Sequence, residues 1–363
     1  MSLVIDLRMI NVSGIGTYLK NIAPEVIKKY QKVVLLGDPE ELKQFSWSHG
    51  ITIIDFKEKI YSIKEQIVFP KVIPNCDVFW CPHFNVSLLP IKAKTIITTI
   101  YDVNHLSVIN KSSFLKKLYS HLLYKNATYK AAQIITISEF SKSEIIKYTK
   151  ADERKIKMIY CGVDKTKFSQ QNEDLTNLSL PEKYILFVGN VKPHKNLITL
   201  LKAYAQLPSK YKSEYKIVIV GKREGFLTKD NLIFNFIEEQ NLKKDVFFTG
   251  YILDNQVPSV YANASLFVFP SLYEGFGLPI LEAMCCNIPV ISSDAASLKE
   301  VGGNAVEYFS PLDDKELVLK IEKLLTNPKL LEDYITKGKE QVEKFNWSKA
   351  KEDHLEIFNK YLL

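Results

Sequence analysis

Short apolar runs alternate along almost the whole chain with stretches in which apolar residues recur at three- and four-residue intervals. The runs are rich in β-branched and aromatic residues, which is typical of buried strands. Strands and helices that alternate in this way indicate βα units and parallel sheets. The pattern predicts thirteen strands, near residues 3–7, 33–36, 51–54, 78–81, 95–100, 133–137, 156–160, 184–189, 216–220, 246–248, 266–269, 288–292 and 305–309.

The predicted strands form two series, separated by the polar segment Ser169–Asp174. This segment has no periodicity, which is typical of a linker. A length of 363 residues also favours two domains, and two doubly wound α/β sheets are more economical than one very wide sheet. We expect a first domain at residues 1–168 and a second at 169–345, with a final helix at 346–363 that crosses back to the first domain.

Composition narrows the class of protein. The chain is 46% hydrophobic and 25% charged, as soluble globular proteins are. The net charge of +7 is uneven, since residues 1–167 carry 25 Lys/Arg against 15 Asp/Glu. No apolar run approaches 18 residues and no signal peptide is evident, so we expect a cytoplasmic protein whose membrane association, if any, is peripheral. Five cysteines without a C-x-x-C pair argue against a disulfide framework or a zinc site.

The first candidate motif, Ser13–Tyr18, lies between a predicted strand and a predicted helix and contains Gly14 and Gly16. Glycines at a helix N-terminus let backbone amides approach a phosphate. The dinucleotide fingerprint needs a third glycine, and Leu19 stands there instead. A tight turn without a ligand explains the motif equally well. Pro24 predicts a kink or a second helix start.

The second motif, Val188–Asn196, follows a buried strand of the second series. Asn196 can cap the next helix, which would hold Lys195 beside a helix N-terminus at the carboxyl end of a parallel strand. Open α/β sheets bind their ligands at that edge. A solvated loop lysine is the alternative interpretation.

The third motif, Phe269–Met284, contains two glycines and two glutamates. Gly275 and Gly277 leave amides uncovered at a helix start, with Pro279 predicted at its first position. Glu274 and Glu282 suit this site if they bind hydroxyls while the amides hold a phosphate. A hydrolase with paired carboxylates is disfavoured, because eight helical residues span roughly 12 Å, beyond the ~5–9.5 Å of glycoside hydrolysis.

These motifs together resemble family four of the retaining glycosyltransferases. The third motif is similar to the E-x7-E signature of that family, with its G-F-G-L-P core intact. Val188–Asn196, Val246–Tyr251 and Val290–Val301 resemble three further family segments. The resemblance implies the GT-B fold, in which two Rossmann-like doubly wound domains face a central cleft.

The resemblance also implies roles for individual residues. Glu274 would bind hydroxyls of the donor sugar, and Glu282 the ribose of its nucleotide. Lys195 would neutralise the pyrophosphate, and the base would lie near Tyr251 and Ile252. The loop with Gly14 and Gly16 would help to bind the pyrophosphate, as would the backbone of the third motif at Gly275, Phe276, Gly277 and Leu278. No metal would be required, and the sequence contains no D-x-D triplet.

Two departures from the family pattern bear on the chemistry. Asn190 stands where many relatives have an arginine, so Lys192 or Arg223 is a candidate for the second cation. Many relatives also have a His-Asp pair where this chain has Tyr101-Asp102. We expect Asp102 to be catalytically important, with His105 or Tyr101 taking part of the role of the usual histidine.

The basic first half indicates the class of acceptor. Residues 111–157 contain 11 Lys/Arg against four Asp/Glu, and Phe114–Lys125 is both apolar and basic at helical spacing. Such a helix suits an anionic bilayer and a polyprenyl-diphosphate-linked acceptor, although a core-facing helix with a solvated lysine face explains it equally well. Nucleic acid is disfavoured because no known binding motif accompanies the charge.

The sequence indicates the type of reaction more closely than it indicates the sugar-nucleotide donor. The overall resemblance is to bacterial mannosyltransferases of O-antigen and exopolysaccharide assembly, which favours GDP-mannose. A UDP-sugar or dTDP-rhamnose is the alternative donor. Proteins of another class would be a nucleotide-dependent sugar-modifying oxidoreductase, which needs the missing third glycine, or a two-lobed solute-binding protein, which needs an export signal.

Overall fold

The computed structural model describes residues 1–107, 109–110, 113–221 and 231–363. They form two compact units: the first comprises Met1–Gly162 and Asn346–Leu363, and the second Val163–Phe345. The boundary predicted at residue 168 lies inside a short helix of the second unit. The ring of Phe168 packs there against Tyr261, with centroids 6.0 Å apart, and its carbonyl accepts a hydrogen bond from Cys286 Sγ. This packing explains why the division comes before the polar segment.

The first unit contains a seven-stranded parallel sheet in the order β3-β2-β1-β4-β5-β6-β7. Its strands are β1 Ser2–Asp6, β2 Lys32–Gly37, β3 Thr52–Asp55, β4 Cys76–Cys81, β5 Ala93–Thr99, β6 Gln133–Thr136 and β7 Ile156–Met158. The helices before residue 163 are α1 Ser13–Lys29, α2 Pro39–Leu42, α3 Ile63–Val72, α4 Phe114–Lys130 and α5 Glu139–Thr149.

The second unit contains a six-stranded parallel sheet in the order β10-β9-β8-β11-β12-β13. Its strands are β8 Tyr184–Val188, β9 Lys216–Val220, β10 Val246–Gly250, β11 Leu266–Phe269, β12 Val290–Ser293 and β13 Val306–Phe309. Its described helices are α6 Lys165–Ser169, α7 Leu197–Gln206, α8 Ser209–Glu214, α9 Asn231–Glu239, α10 Gln256–Ala262, α11 Leu278–Cys285, α12 Leu298–Gly302, α13 Asp314–Leu325 and α14 Pro328–Val342.

The final helix, α15 (Trp347–Leu362), belongs to the first unit and packs against α1 and β4. Tyr18 on α1 hydrogen-bonds to Nε2 of His354 in the core, and Trp80 contacts Phe358 edge to face. Burial lowers the pKa of His354 to about 4, so its imidazole is neutral. Its Nε2 accepts a hydrogen bond from the hydroxyl of Tyr18. The last residues thus complete the core of the first unit.

Each sheet has one point at which the strand order reverses, between β1 and β4 in the first unit and between β8 and β11 in the second. Loops that leave neighbouring strands at such a point diverge, and open α/β sheets bind ligands in the resulting crevice. The carboxyl ends of these four strands are therefore where a site is expected in each unit.

Helix α1 excludes one of the two alternatives predicted for Pro24, the second helix start. It is continuous from Ser13 to Lys29, with Pro24 inside, and neither a second helix start nor a break is present. Proline removes the hydrogen bond to the carbonyl of Lys20, one turn earlier. Lys20 is exposed, so water can bond to that carbonyl and the helix tolerates the loss. No described helix has the length and apolarity that crossing a bilayer requires.

Candidate active site

Lys195 and Glu274 form an ion pair at the reversal point of the second sheet. Lys195 ends a 3-10 turn after β8, and its Nζ lies 2.6 Å from Oε1 of Glu274. The two side chains are 17% and 14% exposed. The ammonium group also lies 5.2 Å from the ring centre of Phe269, the last residue of β11. The structure therefore places Lys195 against a carboxylate and an aromatic face instead of in solvent.

Asn196 holds this turn in place, but not by the predicted capping bond. Its backbone is left-handed, with φ of 56°, and its side chain makes no cap hydrogen bond. Instead, Nδ2 donates to the carbonyls of Pro270 and Pro311, at 2.9 and 2.6 Å, and Oδ1 accepts from Thr199. The side chain thereby ties the Lys195 turn to the loop that leads to Glu274.

Glycines bring the ends of β8 and β9 together. A Cβ added to Gly221 would lie 2.3 Å from the carbonyl oxygen of Gly189, so only glycine fits there. Asn190 and Lys192 follow on the exposed side of this loop. Arg223 lies outside the described residues. Of the two proposed second cations, the structure therefore describes Lys192 alone, as an exposed side chain.

The N-terminus of α11 is built from the third motif. Gly277 precedes it with φ of +119°, a conformation that favours glycine. The hydroxyl of Ser297 lies within hydrogen-bonding distance of the carbonyls of Glu274 and Phe276, which fixes the loop around Gly275. The helix begins at Leu278, so Pro279 occupies its second position and not the predicted first. Pro279 has no amide proton, and the amide of Ile280 donates to the carbonyl of Gly277 at 3.0 Å. The suitability of this end for an anion therefore rests on the amide of Leu278 and on the positive end of the helix dipole.

The two motif glutamates have different surroundings. Glu274 lies in the loop before α11, so eight residues of continuous helix do not separate it from Glu282. Glu282 is partly buried on α11 and accepts a 3.0 Å hydrogen bond from the hydroxyl of Tyr261. Burial raises the pKa of Glu282, opposed by this bond and by the charges of Lys167 and Lys195. The charge of Lys195 thus acts on both glutamates.

Tyr251 and Ile252 follow β10 at an irregular strand end. The pairing with β9 shifts register between Phe248 and Gly250, and Gly250 has φ of +72°. This turn leaves Tyr251 65% exposed and Ile252 only 5% exposed. An exposed aromatic ring next in sequence to a buried aliphatic side chain offers a face on which a nucleobase could stack.

In the first unit, Gly14 and Gly16 differ in their surroundings. A Cβ on Gly16 would lie 2.4 Å from the carbonyl oxygen of Ile10, and its amide already bonds to Val12. Gly16 is therefore required for packing within the unit. A Cβ on Gly14 would meet no atom within 4 Å, so the space beside Gly14 is open.

The residues after β5 also have separate environments. The ring of Tyr101 packs edge to face on Tyr18, and its buried hydroxyl has no hydrogen-bond partner in the described chain. Asp102 accepts a 2.8 Å hydrogen bond from the amide of Asn104, the first residue of the 3-10 turn that contains His105. His105 itself is exposed. No group of three His, Cys, Asp or Glu side chains in the described ranges is arranged to hold a metal ion.

A buried charged network, which was not predicted from the sequence, lies at the reversal point of the first sheet. Arg8, just after β1, pairs with Asp6 at 2.6 Å and with Glu65 of α3 at 2.8 Å. Beside them lie His83, two residues after β4, and Tyr61. The available signal was the presence of charged or histidine side chains directly after two buried strands. Glu65 and Tyr61 carry no such signal, because they come from another segment.

Solved structures that match the chain show its fold. One is a sucrose-phosphate synthase from Thermosynechococcus elongatus, with a TM-score of 0.80 at 19% identity over 99% of both chains. Another is Alr3699/HepE of Anabaena in complex with UDP, with a TM-score of 0.76 at 18% identity, covering 99% of this chain and 100% of that one. The fold is GT-B, with two Rossmann-like parallel-sheet domains, as the resemblance implied.

Sequence comparisons identify the family. A profile described as Glycosyltransferase Family 4 matches residues 12–167, and one described as Glycosyl transferases group 1 matches residues 169–341. O-antigen chain mannosyltransferase B of Escherichia coli is 31% identical over 275 residues, which cover 74% of this chain and 71% of the relative. The chain belongs to glycosyltransferase family 4 and is a glycosyltransferase.

Two further relatives differ in the length that they share with the chain. The serotype-specific mannosyltransferase WbdA of Escherichia coli is 30% identical over 70% of this chain, which spans about a third of that protein (32%). N-acetylgalactosamine-N,N'-diacetylbacillosaminyl-diphospho-undecaprenol 4-alpha-N-acetylgalactosaminyltransferase of Campylobacter jejuni is also 30% identical, over 70% of this chain and 65% of the relative.

Proposed function

We propose that the protein transfers a hexose with retention from a nucleoside-diphosphate sugar to a saccharide or polyprenyl-diphosphate-linked saccharide in cell-surface polysaccharide synthesis. GDP-mannose is the leading donor, because relatives at about 30% identity are named mannosyltransferases. The lipid-linked acceptor is suggested by the name of the Campylobacter relative. The observation that carries the proposal is the Lys195–Glu274 pair beside the N-terminus of α11.

The chemistry follows from the charge that the departing diphosphate develops. As the bond between the sugar C1 and the phosphate oxygen breaks, Lys195 and the positive N-terminal end of α11 would stabilise the negative charge. An acceptor oxygen forms the new bond to C1 from the same face, and its proton goes to the departing phosphate oxygen. Lys195 would exchange Glu274 for phosphate, which leaves the Glu274 carboxylate to accept hydrogen bonds from sugar hydroxyls.

The remaining donor contacts would bind the nucleoside. Glu282 would accept hydrogen bonds from ribose hydroxyls, and the base would stack near Tyr251 and Ile252. Asn190 and Lys192 would lie toward the phosphates. We propose that none of these contacts needs a metal ion.

Stabilisation by nucleotides tests the donor. A ligand at 100 times its Kd raises stability by about 2.7 kcal/mol, which a thermal melt resolves. We expect GDP and GDP-mannose to raise the Tm more than UDP, dTDP or NAD. Selective stabilisation by UDP or dTDP would replace GDP-mannose by a UDP-sugar or dTDP-rhamnose as the proposed donor. Selective stabilisation by NAD would support an oxidoreductase. If none of these nucleotides raises the Tm, a solute-binding protein is favoured. NMR of the product from an α-linked donor then distinguishes retention from inversion.

Three residues of the first unit are proposed for the reaction itself. Asp102 would be catalytically important, and Tyr101 or His105 would take part of the role of the usual histidine. Turnover by Asp102→Asn, Tyr101→Phe and His105→Ala tests these roles one by one. If all three variants turn over at nearly the wild-type rate, the assignment is wrong.

Peripheral binding at the inner face of the cell membrane is the second part of the proposal, and it rests on the outward face of α4. This face consists of five exposed residues on one side of the helix, Phe114, Leu115, Leu118, Leu122 and Tyr129. They are 51–83% exposed, whereas Leu123 and Ala127 on the opposite side are buried. Lys116 and Lys125 are exposed on the same helix. Apolar burial and attraction between lysines and anionic lipid would both favour binding.

Vesicle sedimentation tests this surface. Wild-type protein should pellet with anionic vesicles at low salt, and less at high salt, while the triple variant Phe114→Ser/Leu118→Ser/Leu122→Ser stays in the supernatant. Leu319→Ser is a matched control, since Leu319 is a leucine of the second unit that is 64% exposed. Absence of wild-type binding at either salt concentration would remove the membrane from the proposal.

A further inference from the structure

A chain of hydrogen bonds runs from the buried charges of the first unit to one tyrosine. Glu65, paired with Arg8, accepts a 2.6 Å hydrogen bond at Oε1 from Nδ2 of Asn85. Oδ1 of Asn85 lies 3.2 Å from Nδ1 of His83, and Nε2 of His83 lies 3.1 Å from the hydroxyl of Tyr61. The chain lies at the reversal point of the sheet, where His83 and Asn85 follow β4.

The direction of each bond is fixed by its neighbour. A carboxylate only accepts, so the amide group of Asn85 must face Glu65, and its carbonyl oxygen must face His83. Nδ1 of His83 therefore carries the proton, and Nε2 is the bare nitrogen that accepts from Tyr61. Burial lowers the pKa of His83 to about 3, so the imidazole is neutral at ordinary pH. The hydroxyl proton of Tyr61 is thus committed to His83.

The backbone holds Tyr61 in an uncommon conformation. Its φ is +68°, in the left-handed region that non-glycine residues seldom adopt, and its amide donates a 2.7 Å hydrogen bond to Oε2 of Glu65. The same carboxylate therefore fixes both the main chain of Tyr61 and, through two side chains, its hydroxyl. Strained residues of this kind cluster at functional sites.

The surroundings of Tyr61 suit a sugar. Its ring is half-buried and stacks on Phe84, with centroids 5.2 Å apart, and it lies 5.9 Å from the exposed ring of His105. Burial raises the pKa of the Tyr61 hydroxyl, and the negative charge of the nearby Asp102 carboxylate raises it further. Because its hydroxyl donates to His83, the phenolic oxygen has lone pairs left to accept from a further donor, and a sugar hydroxyl is such a donor.

We propose that the Tyr61 oxygen accepts a hydrogen bond from a hydroxyl of the acceptor sugar, and that His83 is the positioning residue that orients it. The inference rests on the proposed function, because it names the acceptor contact of that reaction. It concerns the acceptor alone, so the donor contacts of the second unit are unaffected by it.

Steady-state kinetics with separate donor and acceptor titrations test the contact. Tyr61→Phe should raise the acceptor KM about 5- to 50-fold. The donor KM and the slow hydrolysis of the donor without acceptor should not change. Tyr30→Phe is the matched control, because Tyr30 is a buried tyrosine of the same unit whose hydroxyl bonds to Asn359. An unchanged acceptor KM in Tyr61→Phe overturns the inference.

A comparison of single and double variants tests whether His83 acts through Tyr61. His83→Leu should raise the acceptor KM as Tyr61→Phe does, and the double variant should be no worse than either one. His83→Gln, whose side-chain oxygen can accept from Tyr61, should recover part of the loss. Additive losses would contradict the relay. If the wild-type protein neither hydrolyses nor transfers from any nucleotide sugar, the proposed function fails instead.

Discussion

The two sheets place charged residues at the same topological position but treat them differently. In the second unit, Lys195 and Glu274 remain 17% and 14% exposed, with one strong contact between them. In the first, the side chains of Arg8, Asp6 and Glu65 are 4%, 6% and 0% exposed. Arg8 is also held between Phe56 and Phe69, at 4.0 and 4.9 Å from their ring centres.

This difference in exposure determines which charges can exchange partners. A buried network cannot release a member without leaving an uncompensated charge in the core, so it serves as scaffold for the residues around it. A pair that keeps some contact with solvent loses less when a ligand takes the place of one partner. The second unit thus has charges suited to direct contact with a phosphate, and the first has charges that position neighbouring polar groups.

The largest expected effect comes from breaking the buried network. Arg8→Met should lower the free energy of unfolding by about 3–5 kcal/mol, because Asp6 and Glu65 lose their counter-charge. Urea unfolding, followed by tryptophan fluorescence, measures the loss. Arg8→Met/Glu65→Gln removes one of the orphaned charges and should recover part of the stability. A loss below about 1 kcal/mol in the single variant would make the network no more important than a surface pair.

The partly buried pair of Lys195 and Glu274 should respond in the opposite way. Lys195→Ala should lower kcat about 100- to 1000-fold, since a preorganised cation would be missing where the diphosphate departs. Its effect on unfolding should stay within about 1 kcal/mol. Lys183→Ala is the control, because Lys183 pairs with Glu214 in the same unit and both are 47% exposed. Normal turnover by Lys195→Ala would exclude a catalytic role for this lysine.

The contrast also shows which features of the protein can be predicted from its sequence. The strands could be predicted because each is a local apolar run, and Lys195, Glu274 and Glu282 because they lie in recognisable local motifs. The relay to Tyr61 could not, because Glu65, Asn85 and Arg8 come from three distant segments that meet only in the fold. Asn196 was misjudged for the same reason, since its partners Pro270 and Pro311 are distant in sequence.

Two glycines offer a matched test of the units. A Cβ added to Gly16 in the first unit would lie 2.4 Å from the carbonyl oxygen of Ile10. A Cβ added to Gly221 in the second unit would lie 2.3 Å from the carbonyl oxygen of Gly189. Substitution by alanine should cost about 1–3 kcal/mol of stability at both positions. Only Gly221→Ala should also weaken nucleotide binding by calorimetry, because it displaces the loop that leads to Lys195. Gly14→Ala, where the space is open, should leave stability within about 1 kcal/mol. Equal loss of nucleotide affinity in Gly16→Ala and Gly221→Ala would contradict this division of roles.

The smallest effect expected is a gain in stability at Glu282. Burial raises the pKa of this carboxyl, so the folded protein binds the proton more tightly than the unfolded chain does. Ionised Glu282 therefore destabilises the fold. This destabilisation is complete at pH values above the raised pKa of the folded protein, and it is absent below the ordinary pKa of the unfolded chain. Glu282→Gln should raise the Tm by about 1–3 °C at pH 7, with the gain vanishing in acid, whereas Glu340→Gln on the exposed side of α14 should not. The same variant should bind the nucleotide about tenfold more weakly, because a ribose hydroxyl loses its charged acceptor. A gain in stability together with unchanged affinity would show that the buried carboxylate serves something other than the nucleotide.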